Sequence, residues 1–150
     1  MIPANRIPYL SDIGLLIGRL AVGVVFVAHG WQKLNDMGHG NVTKFFESVD
    51  VPMASLSAYY ATWVELAGGI ALIVGVVTPI VGLLLAIDMA GAFLFVHKGN
   101  GMFVADNGYE LVLALGGTAI LLALAGAGRF SVDGLLFNRA AAPENQGAAA

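Results

Sequence analysis

The chain has 150 residues, 58% hydrophobic and 11% charged, with a mean hydropathy of +0.81 and a net charge of −3. Soluble domains carry about one quarter charged residues, so this composition excludes an ordinary soluble domain and implies a bilayer, while the lack of a basic cluster excludes nucleic acid as a partner. There is no cysteine, which also excludes thiol–disulfide exchange, thiolate metal sites and a covalent persulfide carrier.

A membrane-spanning helix needs roughly 20 mostly apolar residues. Four segments meet that need, at about Ile13 to Gln32, Ser57 to Val77, Pro79 to His97 and Tyr109 to Ala127. The expected fold is therefore all-α: a polytopic membrane protein built as a four-transmembrane-helix antiparallel bundle. The first segment is not read as a cleaved signal peptide, because Arg19 interrupts its apolar run and no small-residue cleavage pattern follows. Between the first two spans, "NVTKFFESVDVP" predicts an interfacial amphipathic helix, with Phe45, Phe46 and Val49 towards lipid and Lys44, Glu47 and Asp50 towards water. Only "TP" separates the second and third spans. Thr78 is placed to cap the incoming helix and Pro79 suits its first turn. In "NGYE", Asn107 and Glu110 have the spacing of a capping box. "GRFSVDGLLF" predicts a second interfacial stretch, and "AAAPENQGAAA" a disordered tail. The expected organisation is a short N-terminal segment over 1–12, a membrane domain over 13–137 and a tail over 138–150.

The Lys and Arg count gives no orientation: Arg6, Arg129 and Arg139 lie on the terminal side, and Lys33, Lys44 and Lys98 on the other. The working orientation puts both termini in the cytoplasm, with the acidic loops outside.

Each span carries an ionisable residue: Arg19, Glu65, Asp88 and Glu110. Such a residue costs about 2.5–3.5 kcal/mol on insertion scales and usually faces a bundle interior or cavity. At about 1.5 Å per residue from the terminal face, Arg19 lies about 10 Å deep, Asp88 about 13 Å and Glu65 about 19 Å. The matching depths predict a buried Arg19–Asp88 ion pair, since arginine stays charged. Glu65 then lacks a cation at its depth, and is expected as a neutral hydrogen-bonding acid, a proton carrier or a ligand contact. Small residues, Gly14, Gly18 and Gly23 on the first span and Gly68, Gly69 and Gly75 on the second, are expected to bring helices together. Arg19, Phe26 and Lys33 recur every seven residues as a stripe on the first span. If it opposes Glu65, the candidate ligand pocket holds Phe26, His29, Lys33, Glu65, His97 and Glu110, with Glu65 and His29 as candidate catalytic groups. The three histidines lack metal-type spacing, so no metal is expected. No phosphate-binding glycine loop, zinc-protease motif or nucleophile elbow is present.

The ordered set "IGRLAVGVVFVAHGWQKL", "WVELAGGIALIVGVVTP", a polar third helix with Asp88, "NGYELVLALGG" and the closing "GAGRFSVDGLL" resembles the DoxX family of small membrane proteins, over roughly Ser11 to Phe137. The resemblance implies a four-helix integral membrane protein. Some relatives belong to thiosulfate:quinone oxidoreductase systems and others are linked to membrane-associated redox complexes. The implied location is a bacterial or archaeal plasma membrane, crossed several times.

Two functional readings compete. In the first, the chain is a membrane subunit of a quinone-linked oxidoreductase. The sequence shows no haem, flavin or iron–sulfur ligand set, no group is expected to be bound covalently, and electrons would come from a redox partner protein or a soluble reductant. In the second, it is a non-enzymatic scaffold or lipid-binding protein that recruits partners at the bilayer. A small transporter is a third, weaker reading, because four helices leave little room for alternating access.

Overall fold

The computed structural model describes residues 9–140. Every regular element among them is helical: α1 (Leu10–Trp31), continued by a π turn (Gln32–Met37); α2 (His39–Ser48); α3 (Ala54–Val74); α4 (Thr78–Ala92), continued by a π turn (Phe93–His97); a single 3-10 turn (Val104–Asp106); α5 (Glu110–Ala125); and α6 (Val132–Ala140). Residues 1–8 of the expected N-terminal segment and 141–150 of the expected tail fall outside the described residues.

Three helices are long and apolar enough to cross a membrane: Leu10–Met37, Ala54–Val74 and Thr78–His97. The fourth expected span is shorter than the sequence suggests. Tyr109 adopts a bridge-region backbone at the start of α5, and Gly126, with φ +80°, ends it. The remaining 16 residues rise about 24 Å, against a hydrocarbon core of about 30 Å. The helices keep large apolar side chains outward, among them Ile17, Ile80 and Leu124, which a bilayer would cover.

The core lies between α1, α3, α4 and α5, around Phe26, Leu72, Leu85, Met89, Leu115 and Leu122. Helix α1 packs on α3, and α4 on α5, with α3 against α4 linking the two pairs. Close approach explains the first contact. A Cβ on Gly69 would meet the Gly23 carbonyl and Val27 at 2.8 Å, and one on Gly23 would meet the Gly69 carbonyl at 2.9 Å. Gly30 lies closer still to the Leu66 backbone. Gly14 and Gly18, expected in the same role, do not share it: a Cβ added at either would have nothing within 4 Å, so they face open space and not a neighbouring helix.

The expected Arg19–Asp88 pair does not form. Arg19 is fully buried, and its guanidinium donates to the carbonyls of Leu72 (3.1 Å), Ile73 (3.4 Å) and Phe130 (2.5 Å). Two of these carbonyls, Leu72 and Ile73, belong to the last turn of α3, where the helix dipole favours a cation. The acid acting on Arg19 is Asp133. Depth counting misplaces the pair because Arg19 lies level with the α3–α4 turn, whereas Asp88 is ten residues beyond Thr78, about 15 Å further along.

Asp133 also replaces the expected Thr78 cap. Its carboxylate accepts from the amides of Val77 (2.8 Å) and Thr78 (3.0 Å), at the start of α4, and its own amide donates to Gly75 O (2.9 Å). The Thr78 hydroxyl has no partner. Gly75 closes α3 in the left-handed region, and any side chain there would strike Arg19. "GRFSVDG" is thus the plug of the α3–α4 turn as well as a surface stretch.

Candidate functional site

The far end of the bundle is organised by the short α3–α4 turn. Glu65 lies ten residues before Gly75, and Asp88 ten residues after Thr78. Equal paths of about 15 Å bring both carboxyls to one level, where Asp88 faces Glu65 and Lys33. Lys33 arrives from the π turn that prolongs α1, and its Nζ lies 2.5 Å from Glu65 Oε2, with side-chain exposures of 19% and 5%. This is the one ion pair among the described residues. Glu65, expected without a cation, therefore has one.

Lys33, Glu65 and Asp88 line a cavity of about 560 Å³, within the usual range for small-molecule sites. Phe26 (fully buried), His29 and His97 line it too. His97 Nδ1 donates to the Asn107 carbonyl at 2.7 Å, so its Nε2 is left as the free ring nitrogen. Tyr60 crosses from α3 and donates its hydroxyl to Leu84 O at 2.8 Å, one turn before Asp88.

Glu110, placed in this pocket by the sequence pattern, is not among its walls. Its Oε1 accepts from the Val104 amide at 2.6 Å and holds the 3-10 turn. The Asn107–Glu110 capping box is absent for the same reason: Asn107 adopts a left-handed backbone two residues before the Tyr109 N-cap. Helix α2 also departs from expectation. Phe45 and Phe46 do not simply face lipid, since both line the cavity, while Val42 is buried beneath α2. Sequence reasoning pairs Asp88 with Arg19 and misses Tyr60 altogether. Counting outward from the "TP" turn in both directions is the signal that finds the Glu65–Asp88 level.

The arrangement combines one ammonium, two carboxyls and a free imidazole nitrogen with apolar and aromatic walls. It can donate to a carbonyl or hydroxyl oxygen, accept from a hydroxyl, and move a proton between carboxyls. With both carboxyls ionised the trio carries one uncompensated negative charge, and a proton or a ligand's donor is needed to balance it in apolar surroundings. Among the described residues, no three His, Asp or Glu side chains are grouped to hold a metal ion.

Comparison with known proteins agrees with this architecture. A Bacillus subtilis (strain 168) protein named "Putative oxidoreductase CatD" is 35% identical over 126 residues, 84% of this chain and 89% of that protein. The Escherichia coli (strain K12) inner membrane protein YqjF is 30% identical over 128 residues, 85% of this chain and 95% of its own. Inner membrane protein YphA of the same organism is 27% identical over 124 residues, covering 79% and 87%. No solved structure matches the chain. The DoxX family model matches residues 14–98, which holds α1 to α4 and the Lys33–Glu65–Asp88 trio, and the chain belongs to the DoxX family of membrane proteins.

Proposed function

We propose that the chain is a multi-pass membrane protein that binds the polar head of a quinone at Lys33, Glu65 and Asp88, as the membrane subunit of a quinone-linked redox system. The observation that carries this reading is the Lys33–Glu65 ion pair beside Asp88 inside an apolar cavity. Lys33 would donate to one quinone oxygen. Glu65 and Asp88 would pass protons to the ring oxygens, because reducing a quinone to a quinol takes up two electrons and two protons. Electrons would come from a partner protein or a soluble reductant such as thiosulfate. His29 and the free Nε2 of His97 line the same cavity and suit proton exchange with the loop side. The name of the Bacillus relative, an oxidoreductase, supports the class. In this reading α5 completes a fourth span, thinning the bilayer locally over its shorter length, and both termini face the cytoplasm.

A second reading is favoured by the apolar walls: a non-enzymatic lipid-binding protein that recruits partners. Extraction and chromatography of the protein purified in mild detergent separate the two. The first reading expects a stoichiometric quinone that is lost in Lys33→Met. Protein that carries phospholipid and no quinone would overturn it.

A further inference from the structure

The walls of the cavity do not close between α3 and α4. Ile87 and Gly91 on α4 and Phe95 on the π turn that continues it recur every four residues, and all three line the cavity. Ile87 is nevertheless 53% exposed and Phe95 38%. Nearer the turn the two helices do meet, with a Cβ on Gly68 falling 3.4 Å from Val81 and Leu85. The gap therefore begins beyond that contact, and Tyr60 spans it through its bond to Leu84 O. Depth fixes what lies outside. Ile87 is nine residues from Thr78 and ten from His97, so about 14 Å of helix extends on either side of it. In a span of about 30 Å, the exposed edge of the cavity lies near the middle of the hydrocarbon.

From this we infer that the cavity opens sideways into the bilayer through the α3–α4 slot, and that its ligand is a membrane-borne amphiphile whose apolar tail runs out past Ile87 and Gly91. The inference rests on the head-group site proposed above, and adds how the ligand enters and what its other end must be. A ligand arriving from water would not need an apolar exit at mid-depth. A tailed quinone and a phospholipid share the required chemistry, polar oxygens on a long hydrocarbon, and the experiment tells them apart.

Gly91 supplies the test. A Cβ there meets nothing within 4 Å, so a side chain can start into the slot at Gly91 without a clash, and Gly91→Trp places a bulky ring there. Gly117 on α5 is equally open and lies off the cavity, so Gly117→Trp is the matched control. Each protein is reconstituted in phosphatidylcholine vesicles with ubiquinone carrying its full isoprenoid tail, exchanged into mild detergent, and its retained quinone and phospholipid counted. Gly91→Trp should retain about tenfold less ligand than the parent, and Gly117→Trp the same amount as the parent. Equal retention by the two variants, or no retained lipid in the parent, overturns the inference. If the parent retains phospholipid alone and Gly91→Trp loses it, the slot stands and the quinone assignment falls. An independent readout uses the absence of native cysteine. Bimane on Ile87→Cys should be quenched by phospholipid bearing a mid-chain nitroxide and not by iodide; quenching by iodide alone places the opening in water and overturns the sideways route.

Discussion

Lys33 and Glu65, 32 residues apart in sequence, meet at 2.5 Å where the π turn after α1 crosses α3. The pair ties the two helices together at the end of the molecule opposite Arg19. It also supplies Glu65 with the counter-charge and hydrogen bond that a buried carboxylate needs.

Removing one partner should therefore cost more than removing both. Lys33→Met leaves Glu65 in apolar surroundings, and a fully buried pair broken in this way loses about 3–5 kcal/mol. The cost here should fall below that range, since Lys33 keeps 19% of its side chain exposed. Thermal melts in detergent should rank Lys33→Met below both the parent and the double variant Lys33→Met/Glu65→Gln. A double variant less stable than Lys33→Met would show that the pair is not what the two residues contribute.

Asp133 at the turn and Asp88 towards the far end of α4 give contrasting expectations. Asp133→Ala strips two amides at the start of α4 of their acceptor, a loss of about 0.5–2 kcal/mol for a cap, and removes the acid acting on Arg19. Asp88→Asn removes neither. Asp133→Ala should melt well below Asp88→Asn. The reverse order would restore the Arg19–Asp88 pairing that helical depth alone suggests.

Gly69→Ala should disrupt the α1–α3 contact, because its Cβ would press the Gly23 carbonyl and Val27 at 2.8–2.9 Å. Overpacking of this kind costs about 1–3 kcal/mol. Gly18→Ala, with nothing within 4 Å, should melt like the parent or slightly above it. Equal melting of the two variants would mean that close approach does not govern Gly69.

Glu65→Gln tests the proton role. Glutamine keeps the size and can donate a hydrogen bond but cannot carry a titrating proton. The variant should fold, and should lose quinone-linked turnover when assayed in native membranes. Full turnover in folded Glu65→Gln would remove Glu65 from the proton path.

Orientation is checked by single-cysteine labelling in a chain that has no native cysteine. With both termini cytoplasmic, an impermeant maleimide should label Lys44→Cys in intact cells and leave a cysteine in the C-terminal tail untouched. The opposite pattern would invert the topology.

The sequence alone determined the membrane class, the helical fold, the family and the inward stripe of Arg19, Phe26 and Lys33. The family rests on the resemblance of the ordered motifs; the others depend on composition or on the helical period, which are local properties of the chain. It also singled out Phe26, His29, Lys33, Glu65 and His97 as one group, by assuming that two stripes oppose each other. Only the tertiary structure decided which charge meets which. Arg19 went to backbone carbonyls supplied by the end of α3 and by Phe130, and a guanidinium's need for acceptors can be met by carbonyls that no side-chain pattern reveals. Asp88 joined Glu65 because the turn between their helices is short. Glu110 left the group because a nearby amide at Val104 lacked an acceptor, and Phe45 and Phe46 entered it because α2 packs on α3 and supplies part of the cavity wall. Apart from the Glu65–Asp88 level, which residue counts from the turn do reach, those outcomes depend on helix tilt, loop path and which polar groups are left unpaired once the chain is packed, and none of these is encoded in the spacing of residues along it.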